Sequence, residues 1–273
     1  MTFDENTALA PQFLGIGAQR AATTWLYQVL RHHPDVFVSE KKEVHYFDEN
    51  YDRGHDWYLD HFSAAPPGRL RGEITPNYLD CTAAAGRIAN DLPNVKLFAV
   101  LREPVSRARS SYELLRHRFP GKSFVEACQP GGYLVDLGLY AKHLRRFYEL
   151  FDETQIHIIL YDDLQADPET VLSGLYDFLG ISHQPVPEMA SQGTNSVLFP
   201  RTQRLIQTIG LGGAVELAKR GGVGDAIRYV GRQAKRWQRS RGGGNNPHLH
   251  SLFADDIREL ERLIGKDLSR WRR

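Results

Sequence analysis

Short and almost wholly apolar runs alternate along this chain with segments whose apolar residues repeat at helical spacing. The apolar runs predict buried strands at Phe13–Gly17, Asp35–Ser39, Val95–Leu101 and Ile156–Tyr161. Parallel strands need long crossover connections, which are usually helices. The alternation therefore predicts an α/β fold, with a central parallel sheet covered by helices on both faces.

The predicted helices have recognisable start and stop residues. They run from Thr23 to Pro34, from Pro104 to about His117, and from Pro168 to Gly180. A last helix carries apolar residues from Leu252 to Ile264 and ends at Gly265. Neither a repeat nor a linker divides the 273 residues, so the sequence predicts a single domain over 1–273.

The composition limits the cellular settings and the partners. The formal net charge is +1, so the whole molecule has no marked attraction for nucleic acid. Two cysteines cannot build a disulfide framework, and the start of the chain lacks the pattern of a signal peptide. An uninterrupted apolar stretch of about 18 residues, which would span a membrane, is also missing. We expect a cytoplasmic protein with a flexible arm at 1–11 and a basic, glycine-rich, lid-like segment at 200–247.

The turn between the first strand and the first helix has the make-up of a phosphate cradle. Residues 15–24 read GIGAQRAATT, so glycines, Arg20 and two threonines stand where a helix begins. The free N–H groups and the dipole of a helix N-terminus favour an anion. The stretch lacks the G-K-[ST] ending of a Walker A loop, which weighs against a magnesium-dependent nucleotide triphosphatase.

Two further segments carry candidate chemistry. Arg102 ends a buried strand, where ligands bind in open α/β sheets. With it, a second phosphate site is predicted from Arg107, Arg109, Ser110 and Ser111. KKEVHYFD at 41–48 combines cations, a carboxylate and an imidazole soon after the second strand. If that strand adjoins the first, these groups flank the cradle, where a carboxylate can act as general base.

Together, these segments resemble the PAPS-dependent sulfotransferases, where PAPS is 3′-phosphoadenosine 5′-phosphosulfate. The closest resemblance is to the branch with heparan sulfate sulfotransferases and many bacterial relatives. GAQRAATTWLYQVLRHHP is similar to that family's 5′-phosphosulfate-binding loop, and LREPVSRARSSY to its 3′-phosphate-binding element. KEVHYFD and GEITPNYL resemble its acceptor-site segments, and later landmarks continue to LIGKDLSRW. The resemblance implies a P-loop-NTPase-like α/β fold over nearly the whole chain.

The resemblance also implies a role for each matching residue. Glu43 would be the general base, His45 is the second candidate for that role, and Arg20 would stabilise the leaving group, at a position where the family usually has lysine. The cofactor-binding residues would be Arg20, Ala21, Ala22, Thr23, Thr24, Trp25, Arg102, Ser110, Arg241, Gly242 and Gly243. The scheme requires no metal, and the sequence presents no metal-ligand cluster. PAPS would leave as adenosine 3′,5′-bisphosphate.

The acceptor and two rival functions stay open in the sequence. A carbohydrate, a glycolipid or a small molecule could present the accepting hydroxyl or amine. A kinase-like phosphotransferase would share the fold, and a non-catalytic nucleotide-binding module would need no Glu43 or His45. The basic segment has few interleaved aromatic residues, so we expect no nucleic-acid partner. The sequence leaves the oligomeric state undetermined.

Overall fold

One parallel sheet forms the centre of the structure, which is a computed structural model describing residues 9–187 and 246–272. The strand order is β2-β3-β1-β4-β5, and every pairing is parallel. The strands are β1 (Phe13–Gly17), β2 (Val36–Val38), β3 (Leu70–Ile74), β4 (Lys96–Leu101) and β5 (Ile156–Leu160).

Helices fill the connections between the strands and the described part of the chain beyond them. They are α1 (Thr23–Arg31), α2 (His55–Asp60), α3 (Ala84–Asp91), α4 (Pro104–Leu114), α5 (Phe124–Ala127), α6 (Tyr133–Asp136), α7 (Tyr140–Tyr148), α8 (Tyr161–Ala166), α9 (Pro168–Leu179), α10 (Pro247–Ser251) and α11 (Ala254–Ile264). Single 3₁₀ turns lie at Tyr51–Arg53, Pro76–Tyr78, Arg116–Arg118, Glu153–Gln155 and Ser269–Arg272. Within 9–187 and 246–272, every helix is too short or too polar to reach across a bilayer.

The strand order creates a crevice at one edge of the sheet. From β1 the chain crosses to β2 on one side, whereas β4 lies on the other side of β1 and leads on to β5. Right-handed crossovers in opposite directions put their helices on opposite faces, which confirms the predicted sheet with helices on both faces. Ligands in such folds bind at the carboxyl ends of the strands where the direction changes. Here that point lies between β1 and β4.

β3 is a central strand that the apolar pattern does not predict. It lies between β1 and β2, with Leu14 opposite Glu73 and Val38 opposite Gly72. Gly72 is required there because an added Cβ would lie 2.5 Å from the Phe13 ring. The condition that the second strand adjoins the first is therefore not met. β2 is an edge strand, and β3 separates it from β1.

The sheet is held by an apolar core that β4 crosses. Five consecutive β4 residues from Leu97 to Leu101 are fully buried. Each large side chain buried in this way stabilises the fold by about 1.5–3 kcal/mol. α9 and α11 begin and end close to the predicted positions: Asp167 caps α9, and Gly180 and Gly265 end the two helices in the left-handed conformation.

Two predicted helices, α1 and α4, end earlier than expected, and α1 reaches only Arg31. α4 ends at Leu114, and a separate 3₁₀ turn covers the remaining residues to Arg118. The last predicted helix corresponds to α11 and begins two residues later than expected, at Ala254, because the chain turns at Leu252 and Phe253 after the separate short helix α10. That turn buries the Phe253 ring against Gly138, where an added Cβ would lie 2.8 Å from the ring.

Candidate active site

The predicted cradle lies in the crevice between β1 and β4 and brings together three of the predicted cofactor residues. Arg20 is exposed in the turn after β1, and its Nε donates to Ser110 Oγ at 3.1 Å, 90 positions away in sequence. Arg102, just after β4, donates from Nη1 to the Arg20 carbonyl oxygen at 3.2 Å. The Arg102 guanidinium thus contacts the backbone of Arg20, whose own guanidinium contacts the Ser110 hydroxyl, and this supply of cations and donors at the carboxyl edge of the sheet suits an anionic ligand.

The backbone of the turn adopts conformations that normally favour glycine. Arg20 and Ala22 have φ of 69° and 68°, so Ala22 takes the conformation of a glycine without being one. Ala22 is the N-cap of α1 and supplies no side-chain cap to the N-terminal N–H groups. Thr23 is buried and Thr24 exposed, so the Thr24 hydroxyl is the more accessible donor.

Ala21 and Trp25 lie beneath the cradle. Their side chains are 0% and 2% exposed, so they can offer a ligand only their backbone. The Trp25 N–H already donates to the Ala22 carbonyl oxygen at 3.0 Å. Thr23 and Thr24 are therefore better placed than Trp25 to donate to an anion.

Aromatic rings fix the position of Arg102. Its guanidinium lies 4.7 Å from the centre of the Tyr161 ring, and Tyr140 Oη donates to its carbonyl oxygen at 2.8 Å. Behind them, the buried Trp271 donates from Nε1 to Asp162 Oδ2 at 2.8 Å. The C-terminal segment is thus part of the support of Arg102.

Fewer residues are available to the predicted second phosphate site than the sequence analysis expects. Arg107 is fully buried and donates to Ser111 Oγ at 3.1 Å and to the Leu134 carbonyl oxygen. The Arg109 guanidinium lies 4.2 Å from the centre of the Phe124 ring. The prediction is wrong for Arg107 and Ser111, because their positions on α4 turn them towards the interior.

The segment that carries Glu43 and His45 reaches the cradle through β3. The His45 N–H donates to Thr75 Oγ1 at 3.4 Å, and the Thr75 N–H donates to the Gly15 carbonyl oxygen at 3.0 Å. Gly15 belongs to β1, just before the cradle. Thr75 therefore joins the candidate base segment to the strand that leads into the cradle.

Glu43 and His45 form a connected polar group. Glu43 Oε1 pairs with the Lys42 ammonium, and Glu43 Oε2 lies 3.6 Å from His45 Nε2. His45 Nδ1 and Asp48 Oδ2 are hydrogen-bonded at 2.8 Å. The Glu43 side chain is 36% exposed and that of Asp48 only 7%, so Asp48 supports the imidazole from below while Glu43 can meet a ligand.

Neighbouring carboxylates favour the charged form of His45. Burial acts to lower the pKa of His45, but the hydrogen bond to Asp48 and the charges of Asp48, Glu49 and Glu43 outweigh it and raise the pKa. An imidazole that keeps its proton is a weaker proton acceptor. The raised pKa of His45 and the 3.6 Å between its Nε2 and Glu43 Oε2 therefore keep Glu43 as the first candidate for the base.

The same residues form a group that could hold a metal ion, although the sequence shows no metal-ligand cluster. His45, Asp48 and Glu49 each offer one ligand atom, and these atoms lie within 4.8 Å of one another.

Asp80 is a candidate site residue that the sequence analysis does not identify. It follows the 3₁₀ turn after β3, and its carboxylate is hydrogen-bonded to the side chain of Gln19 in the cradle. Gln19 Oε1 also accepts from Tyr133 Oη at 3.3 Å. Burial, and then the charges of Asp136 and Asp48, raise the pKa of Asp80 to about 6 against the opposing effect of its hydrogen bonds.

The two missed carboxylates differ in the signals that could have revealed them. Asp48 follows His45 by three residues, a spacing at which a turn can bring the two side chains together. Asp80 lies far from Gln19 in sequence, so a local pattern gives no indication of their contact. The predicted contributions of Arg241, Gly242 and Gly243 fall outside the described residues, as does nearly all of the segment 200–247.

Comparisons with known proteins agree with this arrangement. A family model described as "Sulfotransferase domain" matches residues 10–201. Human heparan sulfate glucosamine 3-O-sulfotransferase 3A1 is 32% identical over 191 residues, covering 66% of this chain and 47% of the relative. Mouse bifunctional heparan sulfate N-deacetylase/N-sulfotransferase 4 is 32% identical over 197 residues, covering 63% and 22%.

A solved structure extends the likeness to the whole chain. The crystal structure of a sulfotransferase from Alicyclobacillus acidocaldarius is 27% identical, with a TM-score of 0.68, and covers 97% of this chain and 99% of that one. The chain spans about half the length of the heparan sulfate 3-O-sulfotransferases that it matches. Because the family model matches well over half of its residues, this chain belongs to the sulfotransferase domain family. The resemblance and the P-loop-NTPase-like α/β fold are thereby confirmed.

Proposed function

We propose that this protein transfers a sulfuryl group from PAPS to a hydroxyl or amine of an acceptor. The observation that carries the proposal is the meeting of Arg20, Ser110 and Arg102 at the carboxyl ends of β1 and β4. These groups belong to two separate phosphate-binding elements, which matches a donor with phosphate groups at two positions. The membership of the sulfotransferase domain family supports the same donor.

The two ends of the donor would bind different parts of the crevice. Thr23 and Thr24 at the start of α1, with Arg20, would hold the 5′-phosphosulfate. Arg102 and Ser110 would hold the 3′-phosphate, and a charge-assisted bond of this kind is about twice as strong as a neutral one. Arg20 offers a planar fork instead of the point charge of a lysine, and it stabilises charge without donating its proton.

The transfer needs alignment and charge stabilisation more than covalent help, by analogy with phosphoryl transfer. The acceptor oxygen forms the new bond to sulfur while the bond from sulfur to the 5′-phosphate oxygen breaks, so adenosine 3′,5′-bisphosphate leaves. Glu43 Oε2 takes the acceptor proton, and Arg20 stabilises the negative charge that develops on the leaving oxygen. The imidazole of His45, held by Asp48, orients Glu43 at 3.6 Å.

A carbohydrate is the acceptor class that we propose, with a glycolipid as a variant of it. The support comes from the relatives, which include heparan sulfate glucosamine 3-O-sulfotransferase 3A1 and heparan sulfate N-deacetylase/N-sulfotransferase 4. The first is named for transfer to oxygen and the second for transfer to nitrogen, so both acceptor atoms belong in the proposal.

The domain organisation and the location of the protein are also proposals. We propose that the chain works as a single sulfotransferase domain. We propose a cytoplasmic location because Cys81 and Cys128 are both unpaired, as in proteins of reducing compartments.

The test compares carboxylate and imidazole variants of the full chain, assayed with PAPS and a panel of hydroxylated acceptors by mass shift. We expect Glu43→Gln to keep its affinity for adenosine 3′,5′-bisphosphate while kcat falls by roughly 10²–10⁴. His45→Ala should lower kcat by a smaller factor, because this change only misorients the base. Glu40→Gln is the matched control, since its exposed carboxylate lies three residues before Glu43 and the change should leave kcat within about threefold.

Three results would count against parts of the proposal. An active Glu43→Gln with an inactive His45→Ala would move the base to His45. Loss of nucleotide binding in Glu43→Gln would give the carboxylate a structural role through its pairing with Lys42. A wild-type chain that leaves PAPS intact with every acceptor would refute the donor assignment.

A further inference from the structure

A buried carboxylate lies directly beneath the segment that carries the candidate base. Glu73, on β3, is 1% exposed, and its carboxylate lies among hydroxyl groups. It accepts from three hydroxyl groups: Tyr58 Oη at 3.0 Å, Tyr78 Oη at 2.6 Å and Thr75 Oγ1 at 2.6 Å. A buried charge without such partners would cost several kcal/mol, so the hydroxyl groups make Glu73 possible at this position.

Two of these hydroxyl groups also accept hydrogen bonds from the backbone of residues 43–46, the segment that carries the candidate base. Tyr78 Oη accepts from the Tyr46 N–H at 2.9 Å while it donates to Glu73. Thr75 Oγ1 accepts from the His45 N–H at 3.4 Å while it donates to Glu73. The Val44 N–H is bonded to the Glu73 carboxylate itself. Three consecutive N–H groups, at 44–46, are therefore held by one carboxylate.

The segment needs such an anchor because its backbone is strained. Glu43 and His45 have φ of 62° and 58°, a left-handed conformation that costs a non-glycine residue roughly 1–2 kcal/mol. Strained residues keep such a conformation only where the surrounding contacts determine it. The carbonyl side of the segment is held by Asn50, whose Nδ2 donates to the His45 carbonyl oxygen at 2.8 Å. Glu73 provides the corresponding constraint on the N–H side.

The phenol groups of Tyr58 and Tyr78 are in an environment that keeps them protonated, so they can donate hydrogen bonds. Burial, followed by the nearby charge of Glu73, raises the pKa of both Tyr58 and Tyr78 well above its ordinary value. Both phenols therefore stay protonated and direct their O–H bonds at the carboxylate. The carboxylate, the phenols and Thr75 form a closed set of donors and acceptors, which is the arrangement in which a buried polar network fixes one geometry.

We propose that Glu73 is a positioning residue for sulfuryl transfer: through Thr75, Tyr78 and the Val44 N–H, it holds Glu43 and His45 in the geometry that takes the acceptor proton. This inference rests on the proposed function for its catalytic consequence. The anchoring of residues 43–46 by Glu73 does not depend on the proposed function, because it is inferred from the hydrogen bonds alone. Glu73 does not touch the acceptor in this scheme, because its side chain is buried.

The experiment measures kinetics and backbone protection on the same full-length variants. Glu73→Gln keeps the size of the side chain but replaces one accepting oxygen with a donor amide. We expect kcat to fall roughly ten- to a hundredfold, because small misplacements of a reacting group have effects of this order. The KM for PAPS should stay within about twofold, because Arg20, Arg102 and Ser110 are untouched. Amide exchange measured by mass spectrometry should accelerate at least about tenfold in peptides covering 43–48.

Two sets of variants separate positioning from general loss of stability. Asp91→Asn is the matched control, since Asp91 is also 1% exposed and accepts from a tyrosine hydroxyl, Tyr51 Oη, at 3.1 Å. It should destabilise the fold as Glu73→Gln does, yet leave exchange at 43–48 and kcat within about threefold. Thr75→Val removes one link and should lower kcat in part, while Thr75→Ser keeps the hydroxyl and should restore it.

The outcomes discriminate between the two halves of the argument. Unchanged exchange at 43–48 in Glu73→Gln would overturn the anchoring, whatever the activity. Faster exchange with an unchanged kcat would overturn the positioning role. Equal losses of kcat in Glu73→Gln and Asp91→Asn would show that Glu73 only stabilises the fold and does not position the base. If the wild type is inactive with PAPS while exchange accelerates as expected, the proposed function fails and the anchoring holds.

Discussion

Asp80 should destabilise the folded protein at neutral pH, and replacing it with asparagine should reverse the effect. Burial and the charges of Asp136 and Asp48 raise its pKa from 3.8 to about 6. The folded state therefore binds a proton in the range from about pH 4 to 6 that the unfolded state has already released. Stability then falls as the pH rises through this range, and the loss is complete above about pH 6.

The size of the effect follows from the two pKa values. A shift from 3.8 to about 6 corresponds to roughly 3 kcal/mol, at about 1.36 kcal/mol for each pKa unit. Asp80 is partly exposed, so screening by water reduces the expected effect to about 2 kcal/mol. Asparagine keeps an oxygen that can accept from Gln19 but carries no charge. Asp80→Asn should therefore unfold with a free energy about 2 kcal/mol higher than wild type at pH 7.5.

Urea denaturation followed by tryptophan fluorescence, from about pH 4.5 to pH 8, measures this difference. The advantage of Asp80→Asn should be largest above pH 6 and fall to about a third of that value at pH 4.5, with equal m values in both proteins. Asp60→Asn is the control, because Asp60 is exposed and its loss should change the free energy of unfolding by less than about 0.5 kcal/mol. A difference that does not vary with pH, or an Asp80→Asn variant less stable at pH 7.5, would refute the electrostatic reasoning.

Two further predictions concern the cradle. Ala22→Gly should raise the free energy of unfolding by about 0.5 kcal/mol, because φ is 68° there, whereas Ala21→Gly, which has no positive φ and is fully buried, should lower it by about 1 kcal/mol. Urea titrations measure both, and a loss in both variants would contradict the strain at Ala22. Arg102→Ala should weaken the binding of adenosine 3′,5′-bisphosphate at least about tenfold, and Arg109→Ala should leave it within about threefold, because Arg109 covers the Phe124 ring. Calorimetry measures both affinities, and equal losses of affinity in the two variants would indicate that Arg109 also contacts the phosphate.

The strands were predictable where burial on both faces makes them continuous apolar runs. β4 and β5 begin and end within one residue of the predicted positions for this reason. β3 was not predicted because its sequence, LRGEI, places a charged residue at a buried position. Glu73 is compatible with the core only because three hydroxyl groups from other segments reach it. A local pattern carries no sign of these partners.

The same distinction applies to the site. The meeting of Arg20 and Arg102 was predictable, since both follow strands whose carboxyl ends share one edge of the sheet. The buried position of Arg107 was not, because it depends on which face of α4 packs against α6. The contact of Asp80 with Gln19 likewise depends on how the turn after β3 meets the cradle. The sequence therefore predicts which side chains lie at the ends of the strands, whereas the contacts of helices and turns depend on how these elements pack.

The distribution of backbone strain favours an enzyme over a binding module. In 9–187 and 246–272, the non-glycine residues with positive φ are Arg20, Ala22, Glu43 and His45. All four belong to the residues that the sequence analysis selected, and together they cost the fold about 4 kcal/mol or more, a large part of a typical stability. A module that only binds a nucleotide would account for the strain at Arg20 and Ala22, which shape the cradle. It would have no use for Glu43 and His45 held in the same conformation by a buried carboxylate. Strain of this kind persists where a fixed geometry is needed, and at these two residues the group being fixed is the proposed proton acceptor with its neighbouring imidazole.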